Sequence, residues 1–513
     1  MSNNNIIAGQ LNFCVGDIKG NTKKIIDSCS GLTSKQLVVF PELAICGYPP
    51  KDLLLYPEFI DSCQDALKKI TLRINCQAII GAPYFDNNKL YNAAFLVGNG
   101  KSELVATKEF LPNYSVFEEE RYFTSKRFNK FFEHNGKKLA VLICEDYWHS
   151  SKIKQVSDAD IIISINASPF RDNILQQRLD LARQYNKDIY YVNLVGGQDE
   201  LVFDGNSFSY TSGKFSFAPA FTEHIGAIDQ TQSNNDEYHN YYQAIILGLK
   251  DYVHKNGFKK VLLGLSGGVD SALVALLSVQ ALGKDNVSIY ALPTQYNSQQ
   301  SFDDAYQLAK NLGLKLQEIN IQPVFEQFLQ SLQPQFANIQ PDLTEENLQS
   351  RIRGTILMAL SNKFGRLLLT TGNKSEIAVG YSTLYGDSCG AFNPIKDLYK
   401  TEVYNLCNWI NQNFDNPIPD NIITKAPTAE LRDNQKDSDS LPDYEVLDDI
   451  LKQIIDDRKT ANQIDNHPPN VVKNILKLVK LAEYKRYQAA PGVKLHHNAF
   501  GDDWKMPITN KWE

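Results

Sequence analysis

Short apolar runs recur along the first half of the chain: IIAGQLNF, QLVVF, AIIGAPY, NAAFLV, KLAVLIC, DIIISIN and DIYYVNLV. Their shortness and β-branched content predict strands. The helical stretches between several of them predict an α/β architecture with mixed sheets. In the second half VLLGLS, VSIYALP and RLLLTT read as parallel strands joined by helices, the doubly wound pattern. Residues 229–243, DQTQSNNDEYHNYYQ, are the clearest polar interruption and precede the helical run AIILGLKDYVHKNG. They read as a linker between a domain of residues 1–235 and one of residues 240–513. The polar, acidic stretch at 432–449, RDNQKDSDSLPDYEVLDD, reads as a solvated loop.

Composition excludes more than it identifies. A chain of 513 residues is long enough for about two to four domains. A net charge of −7 argues against a dedicated binder of nucleic acid or anionic membrane. No apolar run approaches the ~18 residues of a membrane span, and MSNNNIIAGQLNF lacks the basic start and apolar core of a signal peptide. A cytoplasmic location, with no membrane and no nucleic-acid partner, is the resulting expectation. The cysteines at 14, 29, 46, 63, 76, 144, 389 and 407 form no C-x-x-C pair, so a structural zinc site is not expected and most read as small buried residues.

Candidate chemistry is densest at 261–271, VLLGLSGGVDS. A strand, a Gly-rich turn and an apolar helical run make a phosphate cradle, because glycines let backbone N–H groups approach an anion and the helix start adds partial positive charge. No Gly-Lys-Ser/Thr follows, so this is not the Walker A spacing; it resembles the pyrophosphate loop of the ATP pyrophosphatases. Adenylation needs Mg²⁺, which favours carboxylates. The candidates are Asp270 in the loop and Glu376 in LLLTTGNKSEIAVGYSTLYGD (367–387). Arg351, Arg353, Lys374, Lys400 and Lys485 are the basic candidates for phosphate or carboxylate.

In the first half, three predicted strand ends carry groups suited to acyl transfer. Glu42 follows LVVF and Pro41, Lys108 follows ELVAT, and Cys144 ends KLAVLIC. The thiol can attack an amide carbonyl, and the carboxylate can take its proton and later activate water. The ammonium can lower the thiol pKa and help hold an oxyanion. A histidine-dependent glutaminase would instead need a His beside the cysteine, with His149 the near candidate in sequence. An N-terminal-nucleophile glutaminase needs Cys at position 2, where this chain has Ser2.

The words around these residues carry a family resemblance. PELAICGYPPKDLL (41–54), KEFLPNYSVFEEERYF (108–123), LICEDYW (142–148) and NASPF (166–170) resemble the glutaminase branch of the nitrilase superfamily. The resemblance implies Glu42 as general base, Lys108 as support for the tetrahedral intermediate and Cys144 as nucleophile. It also implies glutamine contacts from Tyr114 and Ser168. The family usually has Lys where this chain has Ile174; Arg171 and Arg178 are the candidates to replace it. SGGVDS, ENLQSRIRG (346–354), TTGNKSE (370–376), NPIKDLYKTEVY (393–404), KAPTAELRDNQKDSDSLPDYEVLD (425–448) and EYKRYQAAPGVK (483–494) resemble the glutamine-dependent NAD synthetases, and with them the match runs through nearly the whole chain.

That family implies a nitrilase-like αββα sandwich followed by a doubly wound, Rossmann-like parallel-sheet domain of the adenine nucleotide α-hydrolase-like kind. Its substrates would be deamido-NAD, ATP and L-glutamine, with Mg²⁺ on Asp270 and Glu376. ATP contacts are implied for Gly264, Leu265, Ser266, Gly267, Gly268, Val269, Asp270, Ser271 and Thr371. Deamido-NAD contacts are implied for Asn347, Glu376 and Lys485, with Asp387 and Lys400 near the reacting carboxylate. A homo-oligomer is expected. Asp502 and Asp503 stand where the family is usually basic, and a local surface effect is expected there. A GMP-synthetase-like amidotransferase would pair the loop with a His-dependent glutaminase. A nitrilase with a degenerate nucleotide sensor, or a non-catalytic dinucleotide sensor, would not need SGGVDS, Glu376 and the Cys144 context together.

Overall fold

The computed structural model describes residues 5–234, 236–337, 339–432, 435 and 441–512. The chain divides into two compact units, Met1–Asp236 and Glu237–Glu513.

In the first unit β1 (Ile6–Gln10), β2 (Leu37–Val39), β3 (Gln77–Asp86), β4 (Lys89–Gly98), β5 (Lys101–Thr107), β6 (Phe128–Asn129) and β15 (His224–Gly226) form one sheet, ordered β15-β1-β2-β3-β4-β5-β6. A second sheet is built from β7 (Phe132–His134), β8 (Lys137–Ile143), β9 (Ile161–Asn166), β10 (Asp188–Asn193), β13 (Phe208–Thr211) and β14 (Lys214–Phe217), ordered β14-β13-β10-β9-β8-β7. β11 (Val195–Gln198) and β12 (Leu201–Asp204) form a separate hairpin.

Period-two alternation sorts the side chains into layers. Ile161, Ile163 and Ile165 of β9 meet Leu139, Val141 and Ile143 of β8 and Leu37 and Val39 of β2 between the sheets. Ile162, Ala140 and Leu142 face outward instead, where Leu179, Ala182 and Tyr185 of a covering helix lie. The helices are α1 (Ile18–Ser28) and α2 (Pro57–Thr71) on the first sheet, and α3 (Ser150–Gln155) and α4 (Ile174–Tyr185) on the second. The result is the αββα sandwich.

The second unit holds β16 (Val261–Gly264), β17 (Val287–Ala291), β18 (Leu316–Glu318) and β19 (Leu367–Leu368), ordered β18-β17-β16-β19 with every pair parallel. Its helices are α5 (Glu237–Lys255), α6 (Val269–Leu282), α7 (Gln299–Asn311), α8 (Gln322–Phe336), α9 (Leu343–Phe364), α10 (Lys374–Val379), α11 (Lys400–Asn413), α12 (Asp420–Thr424), α13 (Tyr444–Ile455), α14 (Pro469–Leu481) and α15 (Glu483–Arg486). The order and direction are those of a doubly wound sheet. α6 is apolar on nearly every side and buried, as a central helix must be.

Three expectations need correction. The linker is shorter than 229–243, because α5 begins at Glu237 and buries Tyr241 and Tyr242. The residues from Glu237 onward belong to that helix, where Glu237 in the first turn complements the dipole. The acidic stretch 432–449 is not all loop: Tyr444 opens α13, which buries Leu447 and Asp448. Residues 433–434 and 436–440 of that stretch, like Ser2, lie outside the described residues. Asp503 is not a surface residue; it is buried, ion-paired with Lys494, and accepts the Ala499 N–H at 3.2 Å. Asp502 is exposed. Among the described residues, no helix is long and apolar enough to cross a membrane. Six of the eight cysteines are buried, and all eight are free thiols.

The sandwich core should tolerate truncation poorly. Ile163→Ala is expected to cost about 2–5 kcal/mol, read as a shift in the denaturant midpoint of the full chain.

Candidate functional site

In the first unit, Glu42 follows β2, Lys108 follows β5, Cys144 follows β8 and Ala167 follows β9. Glu42 sits in a tight turn that crosses β3 at Gly81, where a Cβ would lie 2.5 Å from the Leu43 nitrogen. Only glycine permits that approach. Cys144 has a φ of 45°, an uncommon conformation for a non-glycine residue that turns its side chain out of the strand direction.

These residues converge on a buried ammonium. Lys108 Nζ donates to Glu42 Oε1 at 2.8 Å and to Glu119 Oε1 at 2.7 Å. Asn92 Nδ2 donates to Glu42 Oε1 at 2.7 Å, the Ala167 N–H to Glu42 Oε2 at 3.1 Å, and the Tyr48 hydroxyl to Glu119 Oε1 at 2.8 Å. Burial works against the Lys108 charge, but Glu119, Glu42 and Cys144 hold it well above the ordinary lysine range. Burial, with Glu42 adding to it, raises Glu119 to about 7 against the pull of Lys108. The Cys144 thiol is pushed well above its ordinary range by burial, Glu42 and Glu119. Lys108 and the Ala167 N–H pull the other way. The lysine thus lowers the thiol as expected, but it is outweighed and the resting sulfur is protonated.

Asp146, two residues beyond Cys144, accepts the N–H groups of Glu109 and Phe110 at 3.1 and 3.0 Å and so ties the Lys108 segment to the cysteine turn. Tyr114 is 54% exposed and donates to Glu145 Oε2 at 2.9 Å. The Ser168 N–H donates to Asn193 Oδ1 at 2.9 Å. Arg178 is fully buried, donating to Asp204 at 3.0 and 3.1 Å and to Ser168 O and Oγ at 2.9 and 3.0 Å. Both of its terminal nitrogens are thus committed inside the protein, whereas Arg171 is partly exposed and reaches Gln177 Oε1 at 2.8 Å. Ile174 is buried at the start of α4. His149 stacks on Phe110 at 3.6 Å and lies 3.4 Å from Glu145 Oε1.

The second unit has a pocket of about 920 Å³ at the carboxyl ends of β16, β17 and β19. Gly264, Leu265, Ser266, Gly267, Gly268, Val269, Asp270, Ser271, Asn347, Thr371, Glu376, Asp387, Lys400 and Lys485 all line it. The Gly-rich turn is tied back by Ser271 Oγ, which accepts the Ser266 N–H at 3.3 Å and donates to Gly268 O at 3.0 Å. Gly267, at φ +82°, abuts α7 so closely that a Cβ would sit 2.1 Å from Ser301 O. The turn feeds the N-terminus of α6, which favours an anion.

Lys400 Nζ bridges Asp270 Oδ2 at 2.5 Å and Glu376 Oε1 at 3.1 Å, and Asn373 Nδ2 holds Asp270 Oδ1 at 2.9 Å. Burial works against the Lys400 charge, and the two carboxylates more than reverse it, raising its pKa above the ordinary range. Two carboxylates facing one pocket beside a phosphate loop suit Mg²⁺, which takes one or two from protein alongside phosphate oxygens. Among the described residues, no group of three or more His, Cys, Asp or Glu forms a ready metal cage.

Asp387 accepts the Thr383 N–H at 2.6 Å, and burial raises its carboxyl. Thr383 Oγ1 donates to Asn347 Oδ1 at 2.7 Å. Lys485 Nζ reaches Gly380 O and Ser382 O, both at 2.7 Å, and burial lowers its ammonium. Arg353 lines the pocket, donating to Leu292 O at 3.0 Å. Two basic candidates point elsewhere. Lys374 is fully buried against Asp397 at 2.9 Å and Asn498 O at 2.8 Å, and Arg351 Nε donates to Leu384 O at 3.2 Å.

Sequence reasoning missed Glu119, Asn92 and Glu430. Glu119 lies in a run of three glutamates of which only it is buried, and nothing local separates it from its neighbours. Glu430 accepts from Asn297, Ser298, Ser301 and Lys425 at 3.1, 2.8, 2.6 and 3.1 Å, fastening the segment after α12 beside the pocket.

A carbon–nitrogen hydrolase unit followed by a nucleotide-binding synthetase unit is the class these folds define. The carbon-nitrogen hydrolase family model matches residues 8–213 and the NAD synthase model residues 241–489. The chain is 44% identical to a glutamine-dependent NAD(+) synthetase of Xanthomonas campestris, covering 98% of this chain and 97% of the relative. It is 39% identical to the enzyme of that name from Aquifex aeolicus, over 99% of each. The solved glutamine-dependent NAD+ synthetase of Acinetobacter baumannii, in complex with ADP, superposes with a TM-score of 0.80 at 37% identity over 99% of each chain. The chain belongs to the glutamine-dependent NAD synthetase family.

The Glu119 carboxyl gives this site a pH signature. Its folded pKa is raised from 4.5 to about 7, so the folded state keeps a proton that the unfolded chain releases. The sign is that of lost stability as pH rises between those values. Glu119→Gln should remove this component, so the stability difference between parent and variant, read by urea denaturation, should change across about pH 5–7 and flatten above it.

Proposed function

We propose that the first unit hydrolyses L-glutamine to glutamate and ammonia, and that the second uses the ammonia to convert deamido-NAD to NAD while ATP becomes AMP and pyrophosphate. The observation that carries this reading is the pairing of two sites in one chain. One sets a cysteine over a Glu–Lys–Glu cluster; the other sets a phosphate loop beside a lysine bridging two carboxylates.

In the first unit, Cys144 Sγ attacks the glutamine amide carbon as Glu42 accepts the thiol proton. The raised thiol pKa fits a proton that leaves only as the sulfur attacks. Lys108 stabilises the charge that develops on the carbonyl oxygen. Ammonia departs with the proton from Glu42, leaving a thioester, and a water deprotonated by Glu42 hydrolyses it to glutamate. Glu119 keeps Lys108 in place. Tyr114 and Ser168 contact glutamine, and Arg171, not the internally committed Arg178, is left to meet its carboxylate.

In the second unit, the loop from Gly264 to Ser271, with Thr371, receives ATP. Asn347, Glu376 and Lys485 receive deamido-NAD, with Asp387 and Lys400 near its nicotinate carboxylate. That carboxylate is a poor electrophile until an oxygen bonds the α-phosphorus and pyrophosphate leaves. Ammonia then attacks the activated carbonyl, AMP departs and a proton is lost. Mg²⁺, held by Asp270 and Glu376, would neutralise phosphate charge. The Acinetobacter baumannii relative was solved in complex with ADP, which supports an adenine nucleotide as a ligand of such a chain. A cytoplasmic homo-oligomer completes the reading.

Cys144→Ala is expected to abolish NAD formation from glutamine and to leave formation from ammonium chloride intact. Loss of both would refute the two-site division. Sedimentation at micromolar protein should show a species larger than the 57.9 kDa chain; a single monomeric boundary would overturn the oligomer.

A further inference from the structure

Asp448 lies in the stretch that reads as an acidic loop, yet it is 2% exposed on α13. Its Oδ1 accepts the Ser375 hydroxyl at 2.5 Å and its Oδ2 accepts the Thr401 N–H at 2.8 Å. Ser375 Oγ in turn accepts the Lys400 N–H at 2.9 Å. Ser375 is the second residue of α10, and Lys400 and Thr401 are the first two of α11. The residue after Ser375 is Glu376, whose carboxylate Lys400 grips.

One buried carboxylate therefore fastens the starts of two helices that carry opposite charges into the nucleotide pocket. The first N–H groups of a helix have no intrahelical acceptor. In α11 those of Lys400 and Thr401 are taken by Ser375 and Asp448. The same two bonds set where the lysine chain begins, and so where its ammonium meets Asp270 and Glu376. On the far side, buried Lys374 anchors α10 to Asp397. Asp448 itself does not line the pocket.

We propose that Asp448 is a positioning residue for the synthetase reaction, acting through Ser375 and the start of α11 to set Lys400 against Asp270 and Glu376. The proposal rests on the reading of the second unit as the synthetase. An amide at 448 keeps the shape and one acceptor oxygen. Its –NH₂ can accept from neither Ser375 nor Thr401. With the oxygen kept on the Thr401 N–H, the Ser375 hydroxyl must turn its proton away and accept from the amide. That reverses the bond and crowds two donors, the amide and the Lys400 N–H, onto one Ser375 oxygen.

The test measures ammonium-driven NAD formation by the full chain. Asp448→Asn is expected to lower kcat about tenfold, the scale on which a small misplacement of a reacting group acts. KM for ATP and glutamate release from glutamine should stay within about twofold, and the thermal midpoint within about 4 °C of the parent. Ser375→Ala should act in the same direction, and the double variant should be no worse than the poorer single variant, because both act on one chain of bonds. Unchanged kcat in Asp448→Asn, or additive losses in the double variant, would overturn the proposal. Should Asp448→Asn fail to fold, Ser375→Ala alone decides, by the same split of kcat from KM. A parent enzyme that made no NAD from deamido-NAD, ATP and ammonium would sink the reading of the unit itself. An active parent with an unmoved kcat in the variants would sink only the role of Asp448.

Discussion

A lysine ammonium can be taken out of water only where carboxylates close around it, and both sites are built on that constraint. Lys108 lies between Glu42 and Glu119; Lys400 lies between Asp270 and Glu376. In each case the cation holds together two acids that would otherwise repel, and each acid comes from a different part of the chain. The ammonium is therefore the tie that closes its site. The structural lysine Lys374 obeys the same rule with Asp397 and Asp456, without facing a pocket.

The sheets were legible because alternation in runs such as DIIISIN leaves little choice of face, and Ile161, Ile163 and Ile165 do share one layer while Ile162 lies in another. Three strands of the parallel sheet, β16, β17 and β19, were legible because their runs are apolar; the edge strand β18, LQE with Gln317 and Glu318 exposed, carries no such signal and was missed. What misled was polarity taken without period. Residues 237–243 and 444–449 carry many polar groups, yet each opens a helix whose inward face holds Tyr241 and Tyr242, or Leu447 and Asp448.

The same limit governs the sites. Cys144, Glu42 and Lys108 stand at strand ends inside recognisable words, and the structure brings them to one place. Glu119 could not be told from Glu118 and Glu120, since its place is decided by contacts outside the run, with Lys108 upstream and with Tyr48 far off in sequence. Lys374 and Lys400 look alike in sequence, each opening a short helical run, and only the fold turns one into the pocket and the other into the core. Asp503 was misjudged for the same reason: its partner Lys494 lies across a turn.

A protonated resting sulfur at Cys144 has a consequence beyond turnover. Peroxides and electrophiles attack the thiolate, and burial together with Glu42 and Glu119 disfavours that form at Cys144. With Cys144 as the proposed nucleophile, the sulfur is armed by the molecule it cleaves, and the thiol form that burial favours at rest is the form least open to oxidative capping.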